Sequence, residues 1–376
     1  MRILIVRLRL IGDVVLTTPL LRALRRTYPG AELTYLVEPA AAPIVRGNPN
    51  ITQIIVAPKR RGLARLRGDL AIARQLRRER FDVAIDLHGG PRAAWFTWAS
   101  GAPMRIGYAI AGRSWMYTHV IARPRDEAPR PSVVNQWDLL APLDVERADP
   151  ARDPLEMVED AHAAASVDRR LRDARIGSAH PLVVVHVSAG NPFRRWPGES
   201  FEALVIGLAR RDPSRRIILT SGPSDAPAAK TVADRARAAL GALGAAVPDL
   251  GEFDLTELRA LVGRAAVYIG GDSGPLHIAG TTTTPIVALL GPTLAERSMP
   301  WRDPRWFAEA VDAGPLECRP CRQRECAPGD FRCLTRITAE QVTAAAERAI
   351  TRGASLHGSP RGPQGSAPQE QMQETR

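Results

Sequence analysis

Short apolar runs alternate with amphipathic stretches along most of the chain, which predicts parallel sheets covered by helices on both faces. Between the first two runs, Pro19 lies near the start of a helical stretch and Gly30 follows its end, as is typical of a helix between strands. A region rich in Pro and Asp interrupts the alternation between residues 123 and 154. The strands predicted in the first half are RILIVRL, AELTYLVEP, ITQIIVAP and FDVAIDLHGG.

The alternation restarts at residue 181, so the pattern predicts a second α/β domain. Asp254 is placed to cap one of its helices, and a last amphipathic helix is predicted over residues 338–352. From Gly353 the chain has almost no large apolar residue, which predicts a disordered tail over 353–376. The strands predicted here are PLVVVHVSAG, RRIILTSGP, a short one in AAVPDL, AAVYIGGDSG and PIVALLGP.

The fold class predicted from this pattern is therefore α/β, with two doubly wound, Rossmann-like parallel-sheet domains over residues 1–178 and 179–352. Open sheets of this kind bind ligands beyond the carboxyl ends of their strands, so a ligand is expected in the cleft between the domains.

The composition of the 376 residues is that of a globular protein, with 45% apolar residues. No apolar run approaches the roughly 20 residues that span a bilayer, so no transmembrane segment is predicted. The first residues, MRILIVRLRLIGD, resemble a signal peptide, but Arg7, Arg9 and Asp13 interrupt the apolar region. They are better explained as a buried strand, and a cytoplasmic location is expected.

The net charge of +11 is uneven and is concentrated in the first domain. The segment from Lys59 to Arg80 is strongly basic, and its apolar residues at helical spacing predict a basic amphipathic helix. This helix is either an ordinary solvated surface or attracts an anionic one, and phosphorylated lipid is favoured over nucleic acid because no aromatic residues interleave with the bases. The apolar positions are Leu63, Leu66, Leu70, Ala73 and Leu76.

Gly12 and Asp13 follow the first predicted strand directly. A carboxylate at the mouth of the cleft could act as a general base, taking a proton from a hydroxyl as that hydroxyl attacks. The structural alternative is that Asp13 only caps the next helix.

A second loop, VHVSAGNPFRRWP, carries the hydroxyl of Ser188 and the guanidinium groups of Arg194 and Arg195. Guanidinium groups match phosphate oxygens in geometry and charge. The alternative is a surface loop with two ordinary arginines and Trp196 in the core.

The third loop, GGDSGPLHIAG, combines a permissive backbone with polar side chains. Gly274 allows close approach to a ligand, and Ser273 and the following helix could hold a phosphate. His277, one turn into that helix, could reach the same anion. Asp272 beside a phosphate requires a ribose hydroxyl, a backbone N–H or a cation as its partner.

Taken together, GDVVLTTPLLRALRRTYP, RRWP, GGDSGPLHIAG with PIVALLGPT, and CRPCRQRECAPGDFRCLTRITAEQV resemble glycosyltransferase family 9, the heptosyltransferases of the lipopolysaccharide inner core. The resemblance runs from Met1 to about Arg352. It implies a GT-B fold, in which the first domain holds the acceptor and the second the nucleotide-sugar. It also implies transfer from ADP-heptose with inversion at the anomeric carbon, without a metal ion or cofactor.

The same resemblance assigns roles to individual residues. It implies that Asp13 is the general base and that the carboxylate of Asp225 binds the ribose of the donor. It also places Phe253 or Leu255 near the adenine. Arg194 stands where the family often has lysine, and Asp225 where it usually has glutamate, which leaves the donor sugar open. The residues matching the donor phosphate loops are Ser188, Asp272, Ser273, Gly274 and His277.

On the acceptor side, the sequence places Gly12 and the bases Lys59, Arg60 and Arg61. The excess positive charge of the first domain suits an anionic glycolipid at the inner face of the membrane, and the protein is expected to be peripheral there.

Four cysteines have the spacing C-x2-C-x4-C-x6-C. Four thiolates could bind zinc, but structural sites usually pair two C-x2-C turns and only one is present, so no metal is predicted and zinc stays an alternative. In a reducing compartment, a disulfide scaffold is not expected. The cysteines are Cys318, Cys321, Cys326 and Cys333.

Two other functions stay open. One is a different GT-B enzyme of nucleotide-sugars, such as an epimerase or a transferase for another polysaccharide. The other is a non-catalytic protein that binds a nucleotide-sugar. A nicotinamide dehydrogenase is disfavoured because the first strand leads into RLRLIGD rather than a G-x-G-x-x-G turn.

Overall fold

The computed structural model describes residues 1–123, 129–187, 191–321 and 323–357, which form two parallel sheets with helices packed against them. The strands are β1 (Arg2–Val6), β2 (Glu32–Val37), β3 (Gln53–Val56), β4 (Val83–Asp86), β5 (Met104–Tyr108), β6 (His119–Ile121), β7 (Leu182–His186), β8 (Arg216–Thr220), β9 (Val267–Gly271), β10 (Ile286–Leu290) and β11 (Ala308–Asp312).

The α-helices are α1 (Ile11–Val15), α2 (Thr18–Thr27), α3 (Ala42–Val45), α4 (Gly62–Arg78), α5 (Pro91–Ala99), α6 (Ser132–Trp137), α7 (Ala161–Asp173), α8 (Gly198–Arg211), α9 (Ala226–Leu240), α10 (Leu255–Val262), α11 (Gly274–Ala279), α12 (Ala295–Ser298), α13 (Arg332–Thr335) and α14 (Ala339–His357). Short 3-10 helices occupy Ser114–Met116, Asp138–Leu143, Pro192–Arg194, Pro223–Asp225 and Gly241–Ala246.

The first sheet has the strand order β3-β2-β1-β4-β5-β6, which is the doubly wound order of a Rossmann domain. All its pairs are parallel, and Val6 at the end of β1 pairs with Leu36 on one side and Asp86 on the other. The order reverses between β1 and β4. The loops after these two strands therefore border the crevice in which such sheets bind ligands.

The second sheet has the order β11-β10-β9-β7-β8, with the reversal between β7 and β9. The short strand predicted in AAVPDL is wrong: part of it lies in the 3-10 helix Gly241–Ala246, and the described sheet ends at β8. Pro248 explains this, because proline cannot donate a hydrogen bond to a strand ladder. The capping prediction for Asp254 is confirmed, since its carboxylate accepts from the backbone N–H groups of Thr256 and Glu257.

The other predicted strands are confirmed, whereas β5, β6 and β11 were not recognised in the sequence. β6 has three residues, and β11 is mostly half-buried with acidic residues in it, so neither shows a clear apolar run. The predicted tail begins too early, because α14 continues through Gly353 to His357. The rest of that tail lies outside the described residues.

One hydrophobic core connects the facing sides of the two sheets, so the halves are in direct contact. Across this junction, the indole N–H of Trp301 donates to the backbone carbonyl of Asp153, whose buried carboxylate is bound by Arg26 of the same half. Helix α7 precedes residue 178 but packs on α10 through the Arg170–Glu257 ion pair. The domain boundary at 178 stays a prediction.

Candidate active site

The loop after β1 touches the loop after β9 across the cleft. A methyl group added to Gly12 would lie 3.0 Å from Cδ2 of His277 and 3.2 Å from Cα of Gly274. A methyl group on Gly274 would lie 3.0 Å from Cγ2 of Ile11. The start of α1, after β1, and the start of α11, after β9, therefore meet in van der Waals contact, and a methyl group at either glycine would force its neighbours to move.

Asp13 lies in the first turn of α1, with 37% of its side chain exposed toward solvent. The N-cap of α1 is Leu10, and the Asp13 carboxylate instead pairs with the guanidinium of Arg7, which also donates to the Leu87 carbonyl. Arg7 is buried at the end of β1. A fixed cation from the centre of the sheet thus orients the Asp13 carboxylate, and the capping alternative is wrong.

Two polar atoms of the third loop are buried and have no hydrogen-bond partner within the described part of the chain: Oγ of Ser273 and Nδ1 of His277. Buried polar atoms are nearly always paired, so these two are available to a ligand. Burial lowers the pKa of His277, which keeps its ring neutral at pH 7. Helix α11 has only six residues, and Pro275 in its first turn has no backbone N–H. The side chains of this segment are therefore more important for binding an anion than the helix N-terminus is. Ser188 lies outside the described residues.

Asp272 has the cation partner that its position required, and that partner is Arg194. The buried carboxylate Oδ2 lies 3.0 Å from Nη1 of Arg194 and accepts from the hydroxyls of Thr293 at 2.8 Å and Ser298 at 3.1 Å. Nε of Arg194 donates to Gln323 at 2.6 Å. In this structure Asp272 therefore anchors Arg194, and the role of Arg194 toward a phosphate stays a prediction. Thr293, Ser298 and Gln323 carried no sequence signal.

Asp225 follows β8 and is buried beside Arg195, whose Nη2 lies 2.9 Å from its carboxylate. Both residues line a cavity of about 530 Å³ that extends under Trp196 and between the starts of α8 and α9. Phe253 and Leu255 do not line this cavity. The ring of Phe253 instead packs 4.9 Å from the Arg170 guanidinium, so the structure does not bring the expected adenine contacts next to Asp225 here.

A second cavity, of about 700 Å³, lies at the carboxyl edge of the first sheet and is strongly basic. It brings together Lys59, Arg60 and Arg61 of the predicted acceptor side. Gly12, also predicted there, lies against Gly274 and His277 instead. Burial, with the nearby charges of Arg7 and Arg9, lowers the pKa of His88 to about 4, so His88 is neutral at pH 7. Arg9 and His88 were missed because only the fold brings them to this edge. The charged or polar lining comprises Arg9, Glu38, Lys59, Arg60, Arg61, Arg65, His88 and Arg92.

The four cysteines are free thiols near one another, and burial and the neighbouring thiols raise the pKa of Cys333. In the described ranges, no group of three or more His, Cys, Asp or Glu side chains is placed to hold a metal ion. The described residues therefore give no support to the zinc alternative.

His186, at the end of β7, is buried under the second domain's site and shares a hydrogen bond of 2.9 Å with Thr220. Burial lowers its pKa to about 4, below the value of about 6.5 in an unfolded chain. As the pH falls, His186 therefore binds a proton at a higher pH in the unfolded chain than in the folded protein.

We expect the free energy of unfolding to decrease as pH falls from about 6.5 toward 4, by about 2 kcal/mol at pH 5 from His186 alone. Urea unfolding at neutral and acidic pH measures this. His186→Gln should lower stability at neutral pH but reduce the loss on acidification. An unchanged acid loss in that variant would assign the effect to other groups.

Two Rossmann-like parallel sheets with polar loops facing across a cleft are the architecture of the GT-B fold. Residues 70–331 match the family Glycosyltransferase family 9 (heptosyltransferase). The chain belongs to glycosyltransferase family 9.

Relatives of known name agree with this assignment. Lipopolysaccharide heptosyltransferase 3 of Escherichia coli is 26% identical over 366 residues, covering 93% of this chain and 100% of the relative. Its counterpart in strain K12 is 28% identical over 90% of this chain and 95% of its own length.

Solved structures show the same fold. A family 9 glycosyl transferase from Veillonella parvula DSM 2008 has a TM-score of 0.76 at 23% identity, covering 93% of this chain and 97% of its own. The E. coli heptosyltransferase WaaC with ADP has a TM-score of 0.62 at 21% identity, covering 94% of this chain and 100% of its own. Among the described residues, no helix is long and apolar enough to cross a membrane.

Proposed function

We propose that this chain transfers heptose from ADP-heptose to a lipopolysaccharide inner-core glycolipid, with inversion at the anomeric carbon and without a metal ion. The relatives named as lipopolysaccharide heptosyltransferases support the substrate pair, and the related structure with ADP supports the nucleotide. The observation that carries the proposal is the contact of Gly12 with Gly274 and His277. It sets Asp13 beside the loop that would hold the donor phosphates.

In the proposed reaction, the acceptor hydroxyl gives its proton to the Asp13 carboxylate while its oxygen bonds to the anomeric carbon. The bond from that carbon to the β-phosphate oxygen breaks at the same time, and ADP leaves with the electron pair. Attack opposite the leaving group inverts the configuration. The hydroxyl of Ser273 and the neutral His277 ring, in the tautomer with its N–H at Nδ1, would donate hydrogen bonds to the phosphate as its charge grows. Both atoms have no partner in the described chain.

The basic cavity of the first domain is the proposed site for anionic groups of the acceptor. Arg92 is held there by Asp69 and Glu38, so its charge is largely balanced. Lys59, Arg60 and Arg61 are exposed and supply the remaining positive charge. Such groups attract phosphate and carboxylate oxygens over a distance of about a Debye length.

Calorimetric binding of ADP, UDP and GDP, followed by turnover of the matching sugar donors, tests the proposal. We expect ADP to bind tightest and ADP-heptose to turn over on a lipid A–Kdo acceptor. Tighter binding of UDP or GDP would leave the fold assignment intact and move the chain to another polysaccharide or to an epimerase. If none of the three binds at about millimolar concentration, the donor-loop assignment is wrong and a non-catalytic role gains support.

A further inference from the structure

Helix α4 presents three leucines to solvent instead of to the core. The sequence predicted one apolar stripe, but only its end is buried. Ala73 is buried there, and Leu76 belongs to a hydrophobic cluster with Phe81 and residues of the strands. The exposed fractions of Leu63, Leu66 and Leu70 are 73%, 66% and 43%. Scattered single exposed leucines are ordinary, but three on one helix face mark a contact surface.

The same outer face is positively charged. Arg67 and Arg74 follow Leu63 by four and eleven residues, which places them on its side of the helix, and both are exposed. The two acids of the segment do not balance them. Asp69 is bound by Arg92, and Glu79 is bound by Arg2. In the described part of the chain, no ion pair joins Arg67 or Arg74 to an acid.

This face is continuous with the basic cavity. Gly62, the first residue of α4, and Arg65 in its first turn line that cavity, whereas the three exposed leucines of α4 do not. An anionic bilayer is the partner whose chemistry suits leucines and unpaired arginines on one helix face. Apolar side chains enter the boundary between headgroups and acyl chains, and arginines pair with lipid phosphates.

We propose that the outer face of α4, formed by Leu63, Leu66, Arg67, Leu70 and Arg74, docks the protein on an anionic lipid bilayer. The proposal rests on the proposed function for the lipid-borne acceptor, which would enter the neighbouring basic cavity from the membrane. The docking itself requires no acceptor, so it can be measured separately from transfer.

Sedimentation of the full chain with vesicles tests the docking surface. We expect binding to vesicles of phosphatidylcholine with about one third phosphatidylglycerol, and little binding to phosphatidylcholine alone. Leu63→Ser with Leu66→Ser, and separately Arg67→Gln with Arg74→Gln, should each lower partitioning about tenfold. Because these side chains are exposed, thermal unfolding should stay near that of the wild type.

The matched control is Arg169→Gln with Arg172→Gln, which removes the same charge from exposed positions on α7 and should bind vesicles as the wild type does. Equal binding by all variants, or no binding by the wild type, overturns the proposal. The proposal is also overturned if sedimentation velocity shows a wild-type dimer that is lost in the leucine variant while vesicle binding stays the same. The outer face of α4 would then bind a second copy of the chain. Turnover on detergent-dispersed acceptor should persist in the leucine variant. Absence of turnover in every protein, including the wild type, would count against the proposed function alone.

Discussion

Replacing Asp13 with asparagine is expected to lower kcat by about 10²- to 10⁴-fold while ADP still binds. Asparagine keeps the size of the side chain but cannot accept the proton of the acceptor hydroxyl. Asp13 belongs to α1 of the first domain, whereas the donor loop belongs to the second, so the nucleotide contacts should remain. ADP release from ADP-heptose gives kcat, and calorimetry gives the Kd of ADP.

The Asp13 variant also removes the counter-ion of buried Arg7, so stability has to be measured beside activity. Asp168→Asn is the matched control, because it removes a carboxylate paired with Arg264 away from the two facing loops. We expect normal turnover from it. Retention of more than about a tenth of the activity by Asp13→Asn would mean that another group removes the proton. Loss of ADP binding together with turnover would assign Asp13 to donor binding or folding.

Gly12→Ala should lower kcat about 10²-fold by separating the two loops. Its new methyl group would lie 3.0 Å from the His277 ring and 3.2 Å from the Gly274 backbone, and the backbone atom cannot turn aside. The two segments would shift apart by a few tenths of an ångström, which moves Asp13 away from the expected position of the donor phosphates. Turnover at saturating ADP-heptose measures this effect.

Gly207→Ala provides the comparison for this substitution. Gly207 lies in α8, where an added methyl group would make an ordinary 3.5 Å contact with Thr343 Oγ1. Because alanine favours the helix over glycine, this variant should be as stable as the wild type or slightly more so, with unchanged kcat. If Gly12→Ala also turns over normally, close contact of the two loops is not required for transfer.

Much of the fold could be predicted because its signals are local. Strands such as β7 and β9 are continuous apolar runs, buried along their whole length, and such runs are typical of parallel sheets covered on both faces. The cap of α10 needed only Asp254 and Glu257, three residues apart. β6 and β11 lacked such signals because they are edge strands, and β5 because its first two residues, Met104 and Arg105, are only partly buried.

The sequence by itself predicted which segments border the cleft, namely Gly12–Asp13 after β1 and the glycine-rich segment after β9, and the structure brings these two into contact. Both follow from the rule that ligands bind beyond the carboxyl ends of parallel strands. Only the tertiary structure decided which side chains are already paired, such as Arg194 with Asp272, 78 residues apart. It also decided that α4 exposes its leucines. Periodicity records only that a helix has an apolar side, whereas the packing of the neighbouring elements decides which of those residues are covered.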